Sequence, residues 1–299
     1  MTVVLAGASG QIGRALATSL QGDGIAVRLL VRRAPNGPDE VRWDPAERFL
    51  EPDAIRGADA VVCLSGAPVD GHRWTDAYKQ TLIDSRIDAV GTIAHTLADA
   101  GDAGDAAPRT LVVASAVGYY GDTGDRIVTE DAPPGDGFLS DVCVQWEAAA
   151  APARDAGIRV AHIRTGLVLG DGGLLGRLKP VVQLGIAGPI GSGRQFMPWI
   201  TLHDHIRAIR FLLAGDLAGP VNLTAPNPVP NAEFMAALGH VLHRPTIVRT
   251  PSFALKAVLG ELADDVLTGQ RAVPAALTGA GFEFEHTDLE TALRWALDR

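Results

Sequence analysis

The chain has 299 residues, 47% apolar and 20% charged, so it can bury a sizeable core and is neither disordered nor fibrous. A net charge of −9 with no basic run argues against nucleic acid as a partner. No stretch is long and apolar enough to span a membrane, no charged leader precedes the first apolar run, and the two cysteines, Cys63 and Cys143, stand far apart, so a cytoplasmic protein with no membrane partner is expected.

Residues 3–6 form an apolar run that breaks at Gly7, Gly10 and Gly13 and leads into a helix-forming segment at 14–20. Glycines at this spacing let a strand turn sharply, bring backbone close to a pyrophosphate and let the helix pack tightly on the strand. The phosphates would then rest on the free N–H groups of the helix N-terminus. The pattern is GxxGxxG rather than the commoner GxGxxG, and alone it also fits a plain tight turn. A second apolar run at 27–31 completes a βαβ unit of about 30 residues, the context the nucleotide reading requires. Where an enzyme preferring NAD carries an acid after this second strand, the chain has Arg32-Arg33. An arginine fork suits a 2′-phosphate, so NADP(H) is the expected cofactor; the alternative is a solvated pair at a strand end.

Trp43-Asp44-Pro45 reads as a short edge strand and turn. Residues 59–64 are a third buried strand ending in Ser65-Gly66-Ala67-Pro68, where small side chains let backbone pass the adenosine side of a cofactor or form an ordinary loop. A long helix is predicted over 76–100, with Arg86 turned toward the cofactor or part of a solvated face, followed by a polar loop at 101–108. The strand at 110–114 runs into Ser115, Tyr119 and Tyr120. Hydroxyls at the carboxyl end of a central strand can polarise a carbonyl and exchange a proton. Equally, Ser115 can bond nearby backbone while the tyrosines pack.

A helix capped at Ser140 or Asp141 and a strand at 159–164 come next. The loop at 188–195 exposes Arg194, a candidate for an anionic group on a substrate. His203-Asp204-His205 places two imidazoles at i and i+2, which do not share a helix face, so no metal is expected. One more strand at 219–224, a helix over 232–242 capped by Asn231, and two or three short helices around 281–284 complete the chain.

Along its whole length the chain resembles the extended short-chain dehydrogenase/reductase superfamily, in an atypical subgroup labelled NAD-dependent epimerase/dehydratase or nucleoside-diphosphate-sugar epimerase-like. The resemblance is carried by the glycine turn from Gly7 to Gly13, Leu64-Ser65-Gly66-Ala67, Arg73-Trp74, Asp84-Ser85-Arg86, Ser115 to Gly121, Trp146-Glu147-Ala148-Ala149, Arg164 to Gly170, Gly191 to Gln195, and the terminal Gln270 to Pro274 with Gly281-Phe282. It implies an α/β protein: a Rossmann doubly wound parallel sheet over 1–168 binding NADP(H), and a smaller substrate lobe over 169–299 that includes a domain of unknown function at 250–299, with 200–225 packing back on the first lobe. It places Gly7, Ser9, Gly10, Gln11, Ile12 and Arg32 around the phosphates, with Leu64, Ser65 and Arg86 further along the cofactor and Val168 near the nicotinamide. The superfamily's acid/base tyrosine and its helical lysine fall on Leu139 and Cys143, neither of which can do that chemistry. An NADP(H)-dependent oxidoreductase or epimerase using Ser115, Tyr119 or Tyr120 on a small-molecule substrate is therefore expected; the alternative is a non-catalytic NADP(H)-binding sensor or scaffold. A homodimer is left open.

Overall fold

The computed structural model describes residues 1–102, 108–170 and 172–298, so most of the 101–108 loop lies outside the described residues. The first part alternates β1 (Thr2–Ala6), α1 (Gln11–Gly22), β2 (Ala26–Val31), β3 (Glu40–Asp44), β4 (Phe49–Leu50), β5 (Ala60–Cys63), α2 (Asp76–Asp102) and β6 (Thr110–Ala116). There follow β7 (Ile127–Val128), α3 (Phe138–Ala148), α4 (Ala151–Asp155), β8 (Arg159–Thr165), β9 (Leu167–Leu169), α5 (Gly173–Gln183), β10 (Phe196–Met197), β11 (Trp199–Thr201), α6 (Leu202–Ala214) and β12 (Gly219–Leu223). The chain ends with β13 (Val229–Pro230), α7 (Asn231–Val241), α8 (Ser252–Leu259), α9 (Leu262–Leu267), β14 (Arg271–Ala272), α10 (Ala275–Gly279) and α11 (Leu289–Leu297).

Eight strands make one sheet in the order β12-β8-β6-β5-β1-β2-β3-β4, parallel except at the β3–β4 hairpin. This is the α/β doubly wound architecture anticipated from the sequence. Its winding reverses between β1 and β5, which opens a crevice at the carboxyl ends of those two strands. Because successive strand residues point to opposite faces, the sheet feeds two cores. Val4, Ala6, Val61 and Val113 join Val90, Ile93 and Leu97 of α2. Val3, Leu5, Val62 and Val112 join Leu16 and Leu20 of α1 and Ile206 and Ile209 of α6. Both faces are covered, as a parallel sheet requires.

A third core around Trp199, Phe234, Leu238 and Leu293 builds a smaller body from α5, α7 and α11. The stretch 250–299 divides its attachments: β14 pairs with β7, α10 lies on β12, and α11 packs on α7. No helix among the described residues is long and apolar enough to cross a membrane.

Two helix starts differ from the sequence reading. Gly137, with φ of 110°, turns the chain into α3 ahead of Ser140 and Asp141, and the Ser140 hydroxyl instead reaches the carbonyls of Tyr119 (2.7 Å) and Gly135 (2.8 Å). Asn231 is the first residue of α7 rather than its cap, because its side-chain oxygen accepts the Ile190 N–H at 2.8 Å.

The glycine turn is as tight as backbone allows. A Cβ on Gly7 would stand 2.7 Å from the Leu64 carbonyl carbon, and one on Gly13 would stand 2.3 Å from the Gly7 oxygen. Gly10 has more room, its nearest neighbour at 3.5 Å. Gly13→Ala is therefore expected to destabilise the protein by about 1–3 kcal/mol through forced backbone movement. Gly22→Ala, at the end of the same helix with nothing within 4 Å, should stabilise it by about 0.5–1 kcal/mol. Urea unfolding of the two variants checks this; an unshifted Gly13→Ala midpoint would contradict the close approach.

Candidate functional site

A chain of buried polar groups ties together the carboxyl ends of β6, β8 and β12. Glu147 of α3 holds Arg164 of β8 in bidentate fashion, with Nε–Oε1 and Nη2–Oε2 both 2.9 Å. The Ser115 hydroxyl donates to Glu147 Oε1 at 2.7 Å. Arg164 Nη1 donates to the Tyr120 hydroxyl at 3.0 Å and the Glu130 carbonyl at 3.2 Å, while Tyr120 donates to Asn222 Oδ1 at 2.7 Å. The guanidinium also lies 3.4 Å from the centre of the Tyr119 ring. Burial works against the Arg164 charge, but the hydrogen bonds and charge of Glu147 outweigh it and raise its pKa.

This arrangement changes the reading of the hydroxyl cluster. Ser115 and Tyr120 are 3% and 1% exposed and have their protons committed inside the network. Burial also pushes the Tyr120 phenol above its usual pKa, which makes it a poorer proton donor. Tyr119 serves as a stacking face for Arg164.

Next to the network opens a cavity of about 900 Å³. Ala116, Val117, Leu139, Cys143, Thr165, Gly166 and Leu167 line its sheet side; Arg126, Asp264, Asp265, Thr268 and Gln270 bring polar groups from elsewhere. Tyr120 is also a lining residue, whereas Ser115, Tyr119 and Arg194 are not, and Arg194 is exposed on its loop. Leu139 and Cys143 lie one turn apart on α3 and both face the cavity. Burial, with the charge of Glu147, pushes the Cys143 thiol up to about 11, and burial takes Cys63 to about 12. Both are inert thiols at neutral pH.

Arg86 does turn inward, but toward backbone. It donates to the carbonyls of Leu82 (2.9 Å) and Ala67 (3.0 Å), stacks on Trp146 and so braces the loop that follows Ser65. A second cavity, between α1 and α6, is lined by Arg207 and Arg210, which are already paired with Asp204 and Asp23.

Along the β1/β5 crevice, Ser9 is exposed and its carbonyl accepts from Arg14. Among the described residues no acceptor meets the N–H groups of Gln11 and Ile12. The Gln11 side chain lies against Gly170, where an added Cβ would come within 2.5 Å of its Nε2. Ile12, Leu64 and Val168 pack on the α1/α6 core. At the end of β2 the arginine pair splits. Arg33 grips Glu40 through two bonds of 2.7 and 2.5 Å, and that hydrogen-bonded pairing holds Glu40 down at about 2. Arg32 is exposed and has no partner among the described residues.

Residues 3–223 match the NAD dependent epimerase/dehydratase family. The chain belongs to that family. Residues 250–296 match a domain of unknown function, DUF1731. The chain is similar to the epimerase family protein MT2273 of Mycobacterium tuberculosis, with 47% identity over 300 residues covering 99% of this chain and 98% of that protein. It is also similar to the crystal structure of human epimerase family protein SDR39U1 (isoform2) with NADPH, at a TM-score of 0.90, 32% identity and 100% coverage of both chains. A nucleoside-diphosphate sugar epimerase from Corynebacterium glutamicum matches at a TM-score of 0.81 and 36% identity, covering 99% of this chain and 58% of that one.

Several residues of this epimerase-family chain escaped the sequence reading. Arg126 and Asp265 reach the cavity from segments with no recognisable motif. His205, weighed only as a metal ligand, instead lies fully buried with Nε2 3.1 Å from the Thr165 hydroxyl. No group of three metal-ligating side chains occurs among the described residues.

Two outcomes follow from these positions. Glu147→Ala, which leaves a buried arginine unpaired, should cost about 3–5 kcal/mol, whereas Ser115→Ala should cost about 1 kcal/mol because Arg164 still holds the carboxylate; comparable losses by urea unfolding would contradict the network. Asp265 is raised to about 6, by burial first and then by the charge of Asp264. A carboxyl whose folded pKa exceeds its unfolded value of about 3.9 binds its proton more tightly when folded, so its contribution to stability falls as pH rises from about 4 to 6. Asp265→Asn should therefore melt higher than the parent above that window and unchanged below it, as read by a melting series across pH.

Proposed function

We propose that this epimerase-family chain binds NADP(H) across the β1/β5 crevice and works on a small molecule held in the cavity beside β6 and β8, as an oxidoreductase or epimerase with a non-standard active site. The observation that carries the reading is the split at the end of β2, the strand paired with β1: Glu40 closes off Arg33, while Arg32 is exposed with no partner among the described residues, and the turn after β1 admits no side chain at Gly7 or Gly13. A free guanidinium there suits a 2′-phosphate. The cradle fits the rest of the group, since Gly10 leaves room and the Gln11 and Ile12 N–H groups await acceptors at the positive end of α1. The NADPH of the similar human structure supports the same choice.

Ser9, Gly10, Gln11 and Ile12 would receive the phosphates, with Leu64 and Ser65 lining the path and Arg86 bracing it; Val168 backs the second half. When bound, NADP(H) supplies a hydride donor or acceptor. The chain's residues shape the surroundings. Leu139, Ala116 and the neutral Cys143 exclude water from the sheet side, the Glu147–Arg164 network keeps that wall rigid, and Asp265 is the lining carboxyl that holds or releases a proton near neutral pH. Ser115 and Tyr120 act through the network rather than on a substrate, and Arg194 has no part in the cavity. Two free, buried cysteines suit a reducing compartment such as the cytoplasm.

A second reading, an NADP(H)-binding sensor or scaffold without turnover, is favoured by Leu139 and Cys143 at the positions of the superfamily's reactive pair. Steady NADPH consumption with carbonyl or sugar-nucleotide substrates would exclude it. For the cofactor itself, Arg32→Ala should weaken NADPH binding by about 10- to 100-fold and leave NADH binding nearly unchanged, while Arg33→Ala alters neither by much. Titration calorimetry with both nucleotides checks this; equal loss for NADPH and NADH would remove Arg32 from the 2′-phosphate.

A further inference from the structure

Thr165 ends β8 on the cavity wall, level with Ala116 of β6 in the sheet register. Its hydroxyl lies 3.1 Å from Nε2 of His205 and 3.3 Å from the Ile163 carbonyl oxygen. His205, on α6, is fully buried, and its Nδ1 has no hydrogen-bond partner among the described residues. Burial drives the imidazole pKa down to about 3, so the ring is neutral and carries a single N–H. A buried N–H without an acceptor costs more than a bare ring lone pair, which assigns the proton to Nε2 and makes it a donor to Thr165 Oγ1.

That assignment leaves Thr165 with one hydrogen and one lone pair to offer. Among the described residues only the Ile163 carbonyl competes for the hydrogen, at a long 3.3 Å. The sheet side offers little else: Ala116, Val117, Leu139, Gly166 and Leu167 carry no polar side-chain atom, the Tyr120 hydroxyl is held by Asn222 and Arg164, the Ser140 hydroxyl is held by two carbonyls, and the Cys143 thiol contacts the Ala116 carbonyl at 3.7 Å. A donor and an acceptor on one atom, on the mainly apolar sheet side of the cavity, match a primary carboxamide, whose oxygen accepts and whose nitrogen donates. In a doubly wound sheet each half takes one mononucleotide, and β5, β6 and β8 form the half opposite Arg32.

Resting on the NADP(H) reading above, we propose that Thr165 is the hydrogen-bonding contact for the nicotinamide carboxamide and that His205 is the positioning residue that aims its hydroxyl. The pair sets which face of the ring looks into the cavity. It does by a side-chain hydroxyl and a buried neutral imidazole a job that leaves the α3 positions of Leu139 and Cys143 free to be apolar.

The test is equilibrium binding of the full chain to two probes, NADPH and adenosine 2′,5′-bisphosphate, which lacks the nicotinamide half. Thr165→Val, nearly isosteric, should weaken NADPH about tenfold and leave the bisphosphate within about twofold; Thr165→Ser should recover most of the loss. His205→Leu should lose part of the same NADPH affinity, and adding Thr165→Val to it should cost less than Thr165→Val costs alone. Unchanged NADPH affinity in Thr165→Val overturns the contact and leaves the NADP(H) reading standing. Equal losses for both probes also overturn it, because the adenosine half does not reach this wall. Additive losses in the double variant overturn the role of His205. A parent chain that binds neither probe overturns the underlying cofactor reading instead. Should His205→Leu fail to fold, the Thr165 variants decide the contact alone.

Discussion

The Glu147–Arg164 ion pair is the joint on which the cavity and the end of the sheet both depend. Removing a carboxylate and a guanidinium from water costs several kcal/mol per ion, and the pair is supported here by four bonds from the guanidinium and a further one to the carboxylate. Two charged bonds join the partners, and Ser115, Tyr120 and the Glu130 carbonyl fill remaining sites while Tyr119 lies against the guanidinium face. These groups come from β6, the 3-10 turn after it, the loop after β7, α3 and β8, and Asn222 extends the chain of bonds to β12. A slip of one residue in β8 would turn Arg164 to the opposite face and leave both charges unpaired, so the network also fixes register.

That constraint bears on how the hydroxyl cluster is read as much as on the structure around it. Hydroxyls at the end of a central strand look reactive when read as letters, yet a Ser115 proton held by a carboxylate and a Tyr120 phenol held between a guanidinium and an amide are parts of a rigid wall. With the strand ends braced from behind, α3 has no need of polar groups facing forward. Leu139 and Cys143 then make that surface dry, which strengthens whatever hydrogen bonds a ligand forms there.

The sheet, its two covered faces and the glycine turn were legible in the sequence because each is a local pattern: apolar runs of strand length, a helix of the right period, glycines where no Cβ fits. The split between Arg32 and Arg33 was not, because it turns on Glu40, a residue of the next strand brought back beside Arg33 by the β2–β3 pairing. Arg86 was correctly suspected of turning inward, but its partners are backbone carbonyls, which carry no residue identity to read. His205 looked like part of a metal motif because sequence shows neighbours along the chain; its real neighbour is Thr165, 40 residues earlier, across the packing of α6 on the sheet. Asp265 and Arg126 face one cavity only because the final stretch returns to β7 through β14.

The two ends of the proposed cofactor site recognise by different physics. In the proposed reading Arg32, exposed and charged, would act at a distance, be screened within about 10 Å at moderate salt, and select which nucleotide arrives. Thr165 and the buried His205 are neutral, so in that reading they would act only at contact, be indifferent to salt, and decide how the arriving molecule is oriented. A charged group on the inner wall would do the second job badly, because its desolvation would need a partner as elaborate as the one Arg164 already has. A neutral imidazole behind a threonine avoids that cost and leaves only a ring lone pair, on Nδ1, without a partner among the described residues.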